Sequence, residues 1–384
     1  MTESLACLVL AAGKGTRMKS RLPKLLHTAC GRPLLGWSLS AVEPLGASPA
    51  VVVVPPDQPD LVALVPDWAT SAVQHSARGT GDAVLAGREA LAGFDGDVLI
   101  LNADHPLVEA DTLRSLVAAH RAAAAAATLL TFERTETIGG DFGRIVRDGD
   151  GRVTAIVEVR DADAAQRDLT EVNSGYYVVR SDRLWSALDR VTDHNDQGEL
   201  YITDIVAILH GDGETVHGHR HDDPLVAKGV NTRVDLAEAD AELRARINRR
   251  HQLDGVTIVD PVSTFIEPTV EIEADVVVHP FTVLRGSTRI GAGAQVGPHV
   301  VAVDASIGRE ALVGPFCYLR PGAILMDGAK AGTFVEIKNS VLGEGAKVPH
   351  LSYIGDAEIG SGTNIGAGAI TANYDGEQKQ RTTI

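Results

Sequence analysis

In Leu8-Val-Leu-Ala-Ala-Gly-Lys-Gly-Thr-Arg17-Met18, followed closely by Leu22-Pro-Lys24, an apolar run opens into a loop with two glycines and three cations. Gly13 and Gly15 reach backbone angles closed to other residues, so successive N–H groups can turn toward one anion. Lys14, Arg17 and Lys24 add charge to that cradle. Such chemistry suits a polyphosphate, and a nucleoside triphosphate is the expected ligand. The spacing is neither of the common alternatives. A Walker loop needs four residues between its glycines, and a dinucleotide fingerprint needs glycine where Met18 stands.

Further along, Asp104 in Leu101-Asn-Ala-Asp-His-Pro106 follows an apolar run and is a candidate Mg²⁺ ligand, because that ion prefers carboxylate, phosphate and water oxygens. A solvated loop aspartate is the competing reading; the nearby polyphosphate chemistry favours the ligand. Asn231 in Gly229-Val-Asn231 carries the same ambiguity, since asparagine there is ordinarily a helix cap. Late in the chain, Arg320 and Lys338 stand eighteen residues apart, each directly after an aliphatic residue. Stacked on one face, they would repel by roughly 1–3 kcal/mol unless an anion sits between them. His350 is a candidate general base, because a near-neutral imidazole can take a proton from an attacking amine; a structural histidine is the alternative.

Two rhythms position these residues. Through about residue 228, short apolar runs (LACLVLA, AVVVVP, DVLILNAD, ATLLTF) alternate with amphipathic stretches. This is α/β order, a mainly parallel Rossmann-like sheet with ligands gathered at the carboxyl ends of its strands. The alanine-rich 116–127 reads as a surface helix with Asp111 as its N-cap candidate, and 232–253 as a long linker helix. From about 256, aliphatic residues recur every six: Ile272, Val278, Leu284, Ile290, Val296, and again from Ile307 to Ile337. That period marks a left-handed parallel β-helix of hexapeptide repeats, three units to a turn. The expected division is the α/β domain over 1–231, the linker helix over 232–253 and the β-helix over 254–384. The recurrence slips between Ile337 and Leu342 and between Ile354 and Ile359, where loops or corners are expected. It still runs at Ile384, where a solenoid would need a cap, so C-terminal truncation is expected.

The whole chain of 384 residues carries a net charge of −16, which argues against nucleic-acid binding. A triphosphate binder this acidic must concentrate its cations locally, with a divalent metal. Cys7, Cys30 and Cys317 form no metal-ligand spacing and read as packing thiols. No apolar run approaches membrane-spanning length and no basic leader precedes the first strand, so a soluble cytoplasmic protein is expected.

The glycine loop resembles the signature of sugar-1-phosphate nucleotidyltransferases, L-A-A-G-x-G-T-R-M followed by P-K. Across the whole chain the likeness narrows to the bifunctional N-acetylglucosamine-1-phosphate uridyltransferase and glucosamine-1-phosphate acetyltransferase family. Matching segments include Gln74 with Gly79-Thr80, Phe142-Gly143-Arg144, Val157-Glu158, Val172-Asn173-Ser-Gly175 and Gln197 to Asp204. The resemblance implies transfer of a uridylyl group from UTP to N-acetylglucosamine 1-phosphate. Leu10, Ala11, Ala12, Gly13 and Gly15 would then wrap the nucleotide, and Arg17 and Lys24 would stabilise charge. Gln74, Gly79 and Thr80 would read uracil, Gly143, Glu158 and Asn173 would hold the sugar, and Asp104 with Asn231 would bind Mg²⁺.

For the second reaction the resemblance makes His350 the base that deprotonates glucosamine 1-phosphate, with Arg320 and Lys338 on its phosphate. Tyr353, Asn364, Ala367, Asn373 and Tyr374 would line the sugar and acetyl-CoA sites. It further implies a homotrimer joined through the β-helix. Further coils of the family lie beyond Ile384, so weak or absent acetyl transfer is expected. The chain departs from the family in having Asp82 in place of histidine and Ala103 in place of glycine. Two rival readings remain. One is another sugar-nucleotide pyrophosphorylase with a regulatory β-helix, against which stand His350 and the Arg320/Lys338 pair. The other is a non-catalytic scaffold, which would have lost the loop cations and Asp104.

Overall fold

The computed structural model describes residues 4–13, 15–378 and 380–384, so Lys14 lies outside the described residues. The chain divides into two compact units: Met1–Thr28 with Pro33–Ala239, and Ala29–Arg32 with Asp240–Ile384.

The first unit is built on strands β1 (Leu5–Leu10), β2 (Ala50–Val54), β3 (Thr70–Val73), β4 (Asp97–Asn102), β5 (Ala127–Glu133), β6 (Arg144–Arg147), β7 (Val153–Val157), β8 (Glu171–Arg180) and β9 (Val216–Arg220). The main path runs β9-β5-β8-β4-β1-β2-β3, and the hairpin β6/β7 joins it through β8. All five residues of β2 are buried, as are four of six in β1. Near-continuous apolar runs are what a parallel strand covered on both faces requires. The four expected strands coincide with β1, β2, β4 and β5. The sheet is nevertheless mixed, because β8 pairs antiparallel with both β4 and β5 in its interior. The hairpin sets this direction: β6 pairs antiparallel with β7 and with β8, so the chain enters β8 running parallel to β7 and opposite to β4 and β5.

Around this sheet lie α1 (Leu34–Val42), α2 (Thr80–Ala86), α3 (Ala110–Ala122), α4 (Ser181–Leu188) and α5 (Asp204–Gly211); the 21-residue α6 (Arg233–Leu253) begins in this unit and continues into the second. One expectation is corrected in α3. Its N-cap is Glu109, and Asp111 lies in the first turn, where a negative charge suits the helix dipole. The helix stops at Ala122; Ala124 has a left-handed φ of 45°, and the buried Ala125 and Ala126 lead into β5. The loops leaving β1, β3 and β4 at their carboxyl ends carry Gly13, Gln74 and Asp104, which places the candidate residues on one rim of the sheet.

The second unit is the left-handed β-helix. Val278, Leu284, Ile290 and Val296 are all at most 2% exposed, and from Ile307 to Ile337 the six-residue positions are likewise buried. Coils stack in register, Val278 against Val296, Leu284 against Ala302 and Leu319 against Ile337. Ile272 in the first coil is only half-buried. The slips do not insert loops within the sides. Strands β10 (Lys330–Lys338) and β11 (Lys347–Gly355) pair unbroken, Ile337 with Ile354, and Leu342 then pairs with Ile359. One residue has been lost from a turn while both flanking sides keep their pairing.

At one corner, Phe281, His299, Phe316 and Phe334 share left-handed φ values between 54° and 60° and stack ring on ring, with centroids 4.8, 4.8 and 5.3 Å apart. Left-handed backbone costs an ordinary residue about 1–2 kcal/mol. Aromatic pairing returns about 0.5–1.5 kcal/mol per contact, which explains how bulky side chains hold positions that usually favour glycine.

Cys7 and Cys317 are buried and Cys30 half-buried, all as free thiols; burial pushes the Cys317 thiol up to about 11. Among the described residues, no helix is long and apolar enough to cross a membrane. Ile337 is fully buried between two coils, so Ile337→Ala should destabilise the second unit by about 2–5 kcal/mol. Chemical denaturation checks this; an unchanged midpoint would contradict the inward assignment of the six-residue positions.

Candidate active sites

Two adjoining cavities open at the carboxyl rim of the first sheet. The first, about 680 Å³, is lined by Leu10, Ala11, Ala12 and Gly13, by Arg17 and Lys24, by Gln74, Gly79 and Thr80, and by Asp104 and Asn231. The second, about 640 Å³, shares Arg17, Thr80 and Asn231 and adds Gly143, Glu158 and Asn173. Of the expected first-site residues, only Gly15 lines neither. Its part is steric: it adopts φ 58°, and a Cβ there would come within 2.6 Å of the Lys24 Cβ. Glycine is what lets the loop close on Lys24.

Lys24 Nζ donates to Asp104 Oδ2 at 2.5 Å and to Asn231 Oδ1 at 3.2 Å. The lysine side chain is 8% exposed and the aspartate side chain 20%. Burial by itself raises the Asp104 carboxyl, but His105 and Lys24 overturn this and hold it below its ordinary value. Burial also lowers His105. His105 Nδ1 lies 3.0 Å from the Tyr176 hydroxyl, which donates to the Val226 carbonyl at 2.7 Å. Val230 N–H donates to the Asp104 carbonyl at 2.9 Å. The segment bearing Asn231 is thereby tied to the loop bearing Asp104.

The asparagine ambiguity is resolved here. Asp235 Oδ2 accepts the backbone N–H groups of Asn231 and Thr232, so the Asn231 side chain is not consumed as a cap and its oxygen faces the Lys24 ammonium. Ala103, where glycine was expected, shows no left-handed φ; it is fully buried and bonded through N–H to the Leu10 carbonyl. Arg17 is exposed beside this pair and makes no ion pair with a described residue. A carboxylate and an amide oxygen converging on one cation form a donor set suited to Mg²⁺, which takes few protein ligands beside phosphate and water. No cluster of three His, Cys, Asp or Glu that could hold a metal occurs among the described residues.

In the second cavity, Asn173 Nδ2 donates to the Tyr177 hydroxyl at 2.6 Å, and Asn173 Oδ1 accepts from Gly175 N–H at 3.1 Å. Arg144 is 3% exposed and donates to the Gly139, Gly140, Phe142 and Arg167 carbonyls, so in this motif arginine shapes the loop. Glu158 accepts from the Thr203 hydroxyl at 3.3 Å; burial, reinforced by Asp161 and Asp204, raises its carboxyl.

On the β-helix, Arg320 and Lys338 stand in register on one outer face, as expected. Each cation has a protein carboxylate beside it. Arg320 Nη1 lies 2.9 Å from Glu336, and Lys338 Nζ lies 3.6 Å from Asp356. Glu336 pairs in register with Tyr353, which brings Tyr353 to the same face. His350 is exposed three residues earlier on β11, opposite Thr333. Asn373 Nδ2 donates to the Gly355 carbonyl at 2.6 Å. Asn364, Ala367 and Tyr374 are exposed on the next coil, with the Tyr374 hydroxyl turned to the Gly376 carbonyl. These residues share the outside of neighbouring coils.

Sequence reasoning missed the Lys24 bridge, the His105–Tyr176 brace and the counterions Glu336 and Asp356. Only the last carried a signal, since Glu336 lies two residues from Lys338 on the same strand and Asp356 directly follows Gly355, the register partner of Lys338.

Glu158→Gln should separate stability from binding. Because the native carboxyl is raised, the folded state keeps a proton where the unfolded chain has lost it, and wild-type stability falls as pH rises through that window. The variant should therefore melt higher than wild type near pH 7, the gap closing below about pH 4, while binding sugar phosphate more weakly. Thermal melts across pH would show this; a constant gap would refute the assignment.

A MobA-like NTP transferase domain matches residues 7–208. The chain is 46% identical over 403 aligned residues to the bifunctional protein GlmU of Mycobacterium tuberculosis (strain ATCC 25177 / H37Ra), covering 99% of this chain and 81% of that protein. It is 45% identical to GlmU of Mycobacterium leprae (strain Br4923), covering 99% of this chain and 82% of that protein. With GlmU of Brevibacillus brevis (strain 47 / JCM 6285 / NBRC 100599) the identity is 44%, over 100% of this chain and 86% of the relative.

Proposed function

The chain belongs to the GlmU family, bifunctional N-acetylglucosamine-1-phosphate uridyltransferases and glucosamine-1-phosphate acetyltransferases that feed cell-wall synthesis, and we propose how its residues carry the two reactions. For uridylyl transfer, the observation that carries the reading is the Lys24 ammonium set between Asp104 and Asn231 in a cavity floored by the glycine loop. UTP lies with its base toward Gln74, Gly79 and Thr80 and its phosphates over Leu10 to Gly13. A phosphate oxygen of N-acetylglucosamine 1-phosphate, held by Gly143, Glu158 and Asn173, attacks the α-phosphorus. The bond to the β-phosphate oxygen breaks and pyrophosphate leaves. Arg17 and Lys24 neutralise the charge that accumulates; no side-chain nucleophile is needed, because alignment and charge suffice. Mg²⁺ would be held by Asp104 and Asn231, and it supplies further neutralisation of the phosphates.

In acetyl transfer, His350 accepts a proton from the glucosamine amine as its nitrogen attacks the thioester carbonyl of acetyl-CoA. The carbon–sulfur bond then breaks and coenzyme A departs. Arg320 and Lys338 exchange Glu336 and Asp356 for the substrate phosphate, while Tyr353, Asn364, Ala367, Asn373 and Tyr374 border the sugar and the acyl donor. Association into a homotrimer through the β-helix and a cytoplasmic location complete the reading.

Asp104→Ala should lower UTP-dependent pyrophosphate release by at least about 100-fold. Near wild-type release in Mg²⁺ would overturn the metal assignment. His350→Ala should leave pyrophosphate release unchanged and reduce acetyl transfer by about 100-fold or more, read by thiol appearance from acetyl-CoA. Equal loss of both activities would point instead to a folding defect.

A further inference from the structure

Gln74 follows β3 at the rim of the first cavity and is 6% exposed. Its amide nitrogen donates twice, to Asp82 Oδ2 at 2.8 Å and to the Gly79 carbonyl at 3.2 Å. Both partners only accept, so rotating the amide would set oxygen against oxygen at two places. Orientation is therefore dictated by the neighbours. Both amide hydrogens are spent on protein, and Oε1 takes no hydrogen bond from a described residue. Asp82 lies in the first turn of α2, 8% exposed, and does not line the cavity. Its other oxygen, Oδ1, accepts from Arg78 Nε at 3.1 Å and Nη2 at 2.7 Å, and the arginine side chain is 64% exposed. One carboxylate thus divides its oxygens, one anchored by an exposed cation and the other gripping a buried amide.

We infer that Asp82 is a positioning residue that locks the Gln74 amide with its carbonyl oxygen toward the nucleobase, so that the cavity selects bases presenting a ring N–H there. Uracil has such a donor at N3. Cytosine presents a lone pair at the same atom and meets the Gln74 oxygen acceptor to acceptor. The inference rests on the proposed binding of UTP in this cavity. It adds a cause for base choice that lies outside the cavity wall, and it assigns Arg78 the task of fixing which oxygen of residue 82 is left for Gln74.

The isosteric Asp82→Asn substitution tests this with little risk to packing. Arg78 would claim the only side-chain oxygen of the new amide and turn its NH₂ toward Gln74, which must then rotate. The preference for UTP over CTP, as the ratio of kcat/KM with N-acetylglucosamine 1-phosphate, should fall by about tenfold or more, the cost of one mismatched polar contact, chiefly through KM. The double variant Arg78→Ala/Asp82→Asn frees the asparagine oxygen for Gln74 and should restore the ratio to within about threefold; Arg78→Ala alone should leave it similarly close to wild type. Calorimetric binding of UTP and CTP to the same proteins reads the amide without turnover. A wild type that prefers UTP in binding but turns neither nucleotide over would sink the transferase reading alone. A folded Asp82→Asn protein with an unchanged ratio, or a double variant that fails to recover it, overturns the inference.

Discussion

Three segments distant in sequence meet at one buried charge. Asp104 sits in a place where water cannot solvate it fully, so the carboxylate persists only because Lys24 and its surroundings compensate the lost hydration. That requirement fixes much else. Lys24 reaches Asp104 because Gly15 leaves room beneath it, and Asn231 joins because Val230 is bonded to the Asp104 backbone. The sheet order that puts β1 beside β4 makes the meeting possible, since the phosphate loop and the carboxylate leave neighbouring strands at the same rim.

The β-helix solves a related problem in a different way. Its functional residues are presented by periodicity, with little burial, and each cation is accompanied by an acidic residue of the neighbouring coil. Such half-exposed pairs contribute modestly to stability. Under the proposed acetyl transfer their weakness is useful, because an ion pair of small net worth can be exchanged for a phosphate at small cost. The first unit holds its charge tightly behind protein, whereas the second keeps its charges loosely paired at the surface.

Much of this was legible in the chain itself. The six-residue recurrence announced the β-helix because its inward positions admit only aliphatic or small side chains, and the glycines and cations from Leu8 to Lys24 pointed to the rim where the first cavity opens. The interior antiparallel β8 was not legible: its apolar part, Tyr176 to Val179, reads like a parallel strand, and direction is set by connections. Nor was the division of labour within Phe142-Gly143-Arg144 visible, where the arginine turns inward onto carbonyls. Asp82 stood out only as a departure from a pattern, because its hydrogen bonds to Gln74 and Arg78 depend on how helix α2 begins.

The coils joined at Ile337–Ile354 and Leu342–Ile359 repeat after seventeen residues, although Leu319 and Ile337 are separated by eighteen. Because pairing along each side survives the missing residue, single-residue length changes are absorbed where the chain turns, whereas within a side they would reverse which side chains face inward. Hexad solenoids of this kind can therefore drift in length over evolutionary time at their bends while the spacing of residues along each flank is preserved.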